Sequence, residues 1–389
     1  MTPTPELTLR RSKIQAQMTA AGIDAALLTC NVNLLYTCGL IASGFLYLPA
    51  EGQAHLFVKR PNNLAGDDVH PIRKPEQLPD LLSALGLPAP GVLMLEGDEL
   101  PHSDYLRLAA CFPTSTVVNG TPLIRRARSV KTPFEIELFR RSGLAHARAY
   151  NRIPSVYRPG MTDHELAIEA EHLMRQEGSL GIFRTFGQGM EIFMGSLLAG
   201  DNAAAPSPYD FALGGAGTDA SLPIGANGTP LRPGESIMVD IGGNFFGYMG
   251  DMTRVFSVGT LPQRAYTAHR VCLDIQDAVA AQAKPGAVCE DLYQTALDMA
   301  ARAGFADGFM GVGQQAKFVG HGIGLEINEL PVLSPRNKQV LEEGMTFALE
   351  PKIVLPGIGA VGIENSWAVT AHGVEKLTLC EEQIIPLPA

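Results

Sequence analysis

Apolar positions along the first third of the chain switch between a helical and a strand period. ELTLRRSKIQAQMTAA, at about 6–21, carries helical spacing and is closed by Gly22, and Ile23–Leu28 follows as an apolar strand. Short apolar runs at Gly44–Leu48, His55–Val58 and Val92–Leu95 predict further strands, with a helix at about 76–85 and a proline-rich joint at Pro88-Ala89-Pro90. The basic, proline-containing stretch RRARSVKTP reads as a domain junction, and helical periodicity resumes from Glu135. These signals divide the chain at 1–126 and 127–389.

The remainder is richer in helix, with strands between. Thr162-x-x-Glu165 has the form of a capping box and opens a helix running to about Glu177. Helices are expected at 264–282, stopped by Pro285-Gly286, and at 290–303, ended by Gly304. Strands are expected at Ser236–Ile241, Thr253–Val258, Met345–Leu349 and Ala360–Thr370. No short repeat or low-complexity tract interrupts this order, which predicts an α+β second domain and not alternating βαβ units.

Composition narrows the class. A chain of 389 residues exceeds one ordinary core, and 46% hydrophobic with 18% charged residues describes a packed globular protein. No apolar run reaches the roughly 18–20 residues that cross a bilayer, and the polar N-terminal stretch lacks a secretory core, so a cytoplasmic protein without a membrane partner is expected. Six scattered cysteines form no C-x-x-C pair and are expected to be reduced. A formal charge of −10 with no basic cluster argues against a nucleic-acid partner, and bound cations could neutralise several of the acids.

Candidate chemistry lies in the second part. In VDIGGNFFGYMGDMTRVF, Asp240 ends one apolar strand and Asp251 starts the next, and the glycines between allow both carboxylates to converge. His321 is framed by Gly320, Gly322 and Gly324, which permit close backbone approach. Glu350 ends the strand TFALE before Pro351, and Glu364 lies inside the apolar run AVGIENSWAV. An acid in an apolar strand is costly unless paired, hydrogen-bonded or metal-bound, and these five side chains ask for one explanation. Carboxylates that bridge two divalent ions about 3.5–4 Å apart would supply it.

The order of these residues resembles the pita-bread metallopeptidases, and within them the Xaa-Pro aminopeptidase, prolidase and creatinase branch. IDAALLTCNVNLLYTCG resembles the start of that branch's N-terminal domain and RSVKTPFEIELFRRSG its interdomain junction. The resemblance implies a pita-bread C-terminal domain, a smaller α/β creatinase-like N-terminal domain and a homodimer. It implies two divalent ions (Mn, Co, Zn or Fe), with Asp240 on one, His321 and Glu350 on the other, and Asp251 and Glu364 bridging. Glu350 would also be the general base. The implied reaction is attack of a metal-bridging hydroxide on a peptide or related amide carbonyl.

Four positions depart from that pattern. Ile224 and Asn328 stand where the family places two substrate-side histidines, and no histidine occurs between His172 and His269 or between His321 and His372. Lys352 follows Glu350-Pro351 where the family usually has glycine, and Gly362 stands where the aminopeptidases usually have arginine. Ile224, Asn328 and Lys352 are therefore candidate substrate-side residues. Asn328 reads equally as a turn residue satisfying backbone groups, and Lys352 more readily as an ion-paired surface or rim residue. Arg254 is expected to support a carboxylate, His164 to face solvent, and ALGGAGTDASLPIGANG to line the mouth of the site. The resemblance implies a small peptide or a small-molecule amide as substrate. The alternatives are a metal-dependent amidohydrolase or lyase on the same scaffold and, third, a non-catalytic binding protein.

Overall fold

The computed structural model describes residues 2–388 except Gln188, Glu191 and Phe193. The chain divides into two compact units, Met1–Arg128 and Ser129–Ala389.

In the first unit the helix Thr4–Ala21 ends at Gly22, whose φ of 67° places it in the left-handed region that glycine adopts without strain. The expected strands join a six-stranded mixed sheet in the spatial order Val69–Pro71, His55–Arg60, Ser43–Pro49, Ala25–Leu28, Val92–Leu95, Thr116–Asn119. Ala25–Leu28 is central and buried throughout, which is why it reads as a continuous apolar run. The helix Asn31–Cys38 was not legible in the sequence. Its backbone entry is held by the buried Glu96 carboxylate, which accepts from the Thr29 and Cys30 amides and from Asn33 Nδ2.

The second unit has two cores. One lies between the helices Pro133–Val156 and Asp163–Gln176 and a four-stranded sheet ordered Ile385–Leu387, Thr253–Val258, Ser236–Ile241, Gly195–Ala199. The other packs the helices Gln263–Gln282 and Cys289–Arg302 on a five-stranded sheet ordered Glu329–Leu333, Gly320–Gly322, Thr346–Leu349, Asn365–Val369, Val374–Lys376. Capping boxes start both helices of the first core. Thr132 Oγ1 accepts from the Glu135 amide, Thr162 Oγ1 from the Glu165 amide, and each glutamate reaches back to its cap.

One expected element is corrected. Ala360–Thr370 is not a single strand: Gly359–Gly362 pairs with Lys352–Leu355 in a hairpin, Ile363 and Glu364 lie between, and Asn365–Val369 joins the five-stranded sheet. Both pieces are buried, so the run is apolar throughout and hydrophobicity alone gives no sign of the break. Glu364 thus sits where the chain changes sheets and not within a strand.

Candidate metal centre

Thr253–Val258 runs antiparallel to Ser236–Ile241 with Thr253 opposite Asp240, so the chain returns beside Asp240 immediately after Asp251. Between the two acids the chain folds into the small hairpin Gly243–Phe245/Tyr248–Gly250. Ser366 secures Asp251 twice: Oγ accepts from its amide and donates to its carbonyl.

His321 is in the middle of Gly320–Gly322, between Glu329–Leu333 and Thr346–Leu349. The flanking glycines are required by this crowding, because a Cβ at 322 would lie 2.2 Å from the Leu330 carbonyl carbon and one at 320 would lie 2.4 Å from Ala348 O. The loop after His321 is held by Glu329, which accepts from the Leu325 and Glu326 amides and from the buried Lys131 ammonium at 2.9 Å.

The five expected side chains come together. Among the described residues, two groups have ligand atoms within 4.8 Å of one another: Asp251, His321 and Glu364, and Asp240, Glu350 and Glu364. His321 Nε2 lies 3.4 Å from Glu350 Oε1 and 3.7 Å from Asp251 Oδ2. Glu364 Oε2 accepts from Thr253 Oγ1 at 2.7 Å, whereas its buried Oε1 has no hydrogen-bond partner. Thr253 carries no separate mark in the sequence beyond its place two residues after Asp251, which in a strand pattern puts it on the same face.

Lys352 overturns its expected place at the surface or rim. It is fully buried, and its Nζ donates to Asp240 Oδ2 at 2.8 Å, Glu350 Oε2 at 2.6 Å and Glu364 Oε2 at 3.1 Å. The physical reason is the hairpin after Pro351, which turns Lys352 inward among carboxylates able to compensate its desolvation.

Arg254 is also corrected. It is buried, but it donates to the carbonyl oxygens of Thr253, Glu364 and Cys380 and to Asn365 Oδ1, holding backbone and not a ligand carboxylate. Asn328 behaves as a backbone clamp: Oδ1 accepts from the Phe186 amide and Nδ2 donates to Phe186 O. Ile224 is buried and lines a cavity of about 230 Å³ with Ser196 and Ile241, the first being the register partner of Asp240 and the second its neighbour in sequence. His164, exposed as expected, borders the same cavity. The glycine-rich loop is tied at Asn227 and Gly228 to the Asp163 carboxylate.

Electrostatics show a site short of positive charge. Burial pushes the Asp251 carboxyl up to about 7, helped by the Asp240 charge. Burial also raises Glu364 well above the carboxylate range, with Asp251 and Glu350 adding to it. Burial alone would raise Glu350 as well, but Lys352 and His321 outweigh it and hold Glu350 at about 2. Burial opposes charge on His321, yet its hydrogen bond to Glu350 and the nearby acids lift it to about 9. For Lys352 the same desolvation is overcome by Asp240, Glu350 and Glu364, and the amine stays protonated. The Lys352 ammonium and His321 thus keep Glu350 ionised, while Asp251 and Glu364 are pushed toward their neutral forms.

Residues 137–371 match metallopeptidase family M24, and residues 10–130 match the creatinase/prolidase N-terminal domain. The chain belongs to metallopeptidase family M24. An Xaa-Pro dipeptidase of Lactobacillus helveticus is 29% identical over 296 residues, covering 76% of this chain and 72% of that one. The probable dipeptidase PepE of Mycobacterium tuberculosis is 28% identical over 409 aligned positions, covering 98% and 97%. Among solved structures, the Xaa-Pro dipeptidase from Bacillus anthracis superposes with a TM-score of 0.80 at 24% identity, covering 98% and 100%. The prolidase from Pyrococcus horikoshii OT3 gives 0.77 at 25%, covering 97% and 100%. The M24 chain therefore has the expected α+β architecture, a creatinase-like N-terminal domain followed by the pita-bread domain, and it is a hydrolase.

Membership of M24 implies divalent metal ions. The group Asp251, His321 and Glu364 fits an ion: it supplies oxygen and imidazole donors, and it contains the partnerless Glu364 Oε1. The group Asp240, Glu350 and Glu364 already surrounds an ammonium.

Proposed function

We propose that the protein is a metal-dependent hydrolase of short peptides of the Xaa-Pro type, the activity for which several of its relatives are named. The observation that carries this reading is the convergence of Asp240, Asp251, His321, Glu350 and Glu364 on a buried position where one carboxylate oxygen has no partner. A bound divalent ion would supply a Lewis acid for the scissile carbonyl and lower the pKa of a water.

The chain's own residues then have separable tasks. Asp251, His321 and Glu364 hold the ion, with Thr253 fixing the orientation of Glu364. Glu350, kept ionised by Lys352 and His321, accepts the proton of the attacking water. Asn328 positions the Phe186 segment through its backbone. Mn, Co, Zn and Fe all suit this donor set. We place the domain junction at 126/127 and the protein in the cytoplasm, where six free cysteines suit a reducing compartment, and we expect the homodimer of its branch. Metal-loaded protein should hydrolyse members of a panel of Xaa-Pro dipeptides and longer Xaa-Pro peptides, followed by release of free amino acid. Failure across the whole panel overturns the peptidase reading.

A second reading is favoured by Ile224 and Asn328. One is apolar and buried, and the other has its amide engaged by Phe186, so neither supplies a proton to a leaving nitrogen. Amide hydrolysis or metal-assisted elimination of a non-peptide small molecule makes a smaller demand there. The double variant Ile224→His with Asn328→His decides whether the missing histidines matter: a gain of peptidase activity supports that account, and no gain rejects it.

A further inference from the structure

We propose that the Lys352 ammonium permanently occupies one of the two cation positions of this site, so that each chain takes up one divalent ion, at Asp251, His321 and Glu364. This rests on reading the cluster as a metal centre, but not on which bond the enzyme cleaves.

The geometry comes first. An ammonium has three donors, and Lys352 Nζ has three carboxylate acceptors at 2.6–3.1 Å. Those acceptors belong to Asp240, Glu350 and Glu364, the same residues that form the second of the two candidate ligand groups. The ammonium is thus held where a divalent ion would need to bind.

The hairpin is built to deliver it. Lys352 pairs across the hairpin with Gly362. A Cβ at 362 would lie 2.5 Å from Pro351 O, 2.7 Å from Lys352 Cα and 3.0 Å from Lys352 Cγ. The lysine stem therefore runs over bare backbone, and a side chain at 362 would compete with it for the same space. Lysine at 352 and glycine at 362 are two halves of one arrangement.

Charge points the same way. Four carboxylates with one ammonium and one divalent ion leave a net charge of about −1, the value that two divalent ions and a bridging hydroxide would leave without the lysine. A second ion would have to expel the ammonium from its acceptors. Lys352 is fully buried, and a buried charge stripped of its partners is strongly disfavoured. The other group has no such occupant: Glu364 Oε1 is buried without a partner, and His321 Nε2 lies near Asp251 and Glu350. The ammonium balances charge but offers no open coordination position, so Lewis-acid chemistry falls to the single ion.

Metal content decides the matter on the full-length chain. Protein stripped with chelator and titrated with Mn²⁺ or Co²⁺ should bind one ion in the wild type and two in Lys352→Ala, with the Co²⁺ visible absorption rising about twofold in the variant. Wild type that binds two ions of comparable affinity, or a folded Lys352→Ala that stops at one, overturns the proposal. Should Lys352→Ala fail to fold, anomalous scattering from Mn²⁺-soaked wild-type crystals gives the answer alone. One peak beside His321 with Lys352 in place supports the proposal, and two peaks with the lysine displaced refute it. One bound ion with no peptide cleavage would keep this inference and reject the peptidase reading; two ions with cleavage would do the reverse.

Discussion

Glu364 shows how much of this site depends on single atoms. One of its oxygens receives Thr253 Oγ1 and Lys352 Nζ, and the other is buried without a hydrogen-bond partner. With the ion proposed above in place, Thr253 would act on it through the carboxylate it orients. Replacing Thr253 by Val keeps the shape and removes the donor. Metal affinity should fall by about 10–100-fold, the usual effect of losing a partner to a ligand. Calorimetric titration with Mn²⁺ would measure this, and unchanged affinity would mean that Glu364 is positioned by its backbone alone.

At the scale of elements, the centre is assembled where strands end, break or change sheets. Asp240 lies near the end of its strand, Asp251 precedes one, Glu350 follows one, and Glu364 occupies a crossing between two sheets. Only His321 is central to its strand, and there the neighbouring backbones leave no room for side chains at 320 and 322. Gly322→Ala would place a methyl against the Leu330 carbonyl. It should destabilise the protein by about 1–3 kcal/mol or more through overpacking and weaken metal binding together. Chemical denaturation alongside metal titration separates this from a purely local effect: affinity loss at unchanged stability would contradict it. The sequence shows residue types and the ends of apolar runs well. It does not show that Ala360–Thr370 breaks, because both halves are buried and apolar.

At the scale of the whole molecule, the buried histidines link stability to pH. Burial, helped by Arg254, lowers His146 to about 3, and burial also lowers His269. An unfolded histidine titrates near 6.5, so between about 3 and 6.5 His146 binds a proton in the unfolded chain that it does not hold in the folded one. His146 therefore contributes stability that is complete above about 6.5 and is lost as pH falls toward 3, and His269 contributes with the same sign. For His146 the loss is of the order of a few kcal/mol. Comparison with His146→Gln isolates this share: from pH 6.5 to 5 the wild type should lose unfolding free energy relative to the variant, and an equal slope in the two would remove His146 from the account.

Much of this protein was legible in its sequence. Apolar periodicity with cap residues predicted the principal helices and several strands, since a helix or strand of a folded domain must hide one face from water. Acids in apolar surroundings, with a glycine-framed histidine, pointed to a metal centre, because burial of unpaired charge is too costly to be accidental. Asp240, Asp251, His321, Glu350 and Glu364 were named on that ground and on the family resemblance. Lys352 was different. A lysine beside a proline in an apolar stretch has the same sequence appearance whether it snorkels to solvent or turns inward. Its direction is set by a hairpin, by the absence of a side chain at Gly362 and by carboxylates from positions 240, 350 and 364. Those partners meet only in three dimensions, so the tertiary structure alone decided that the Lys352 ammonium lies buried among the acids of the centre.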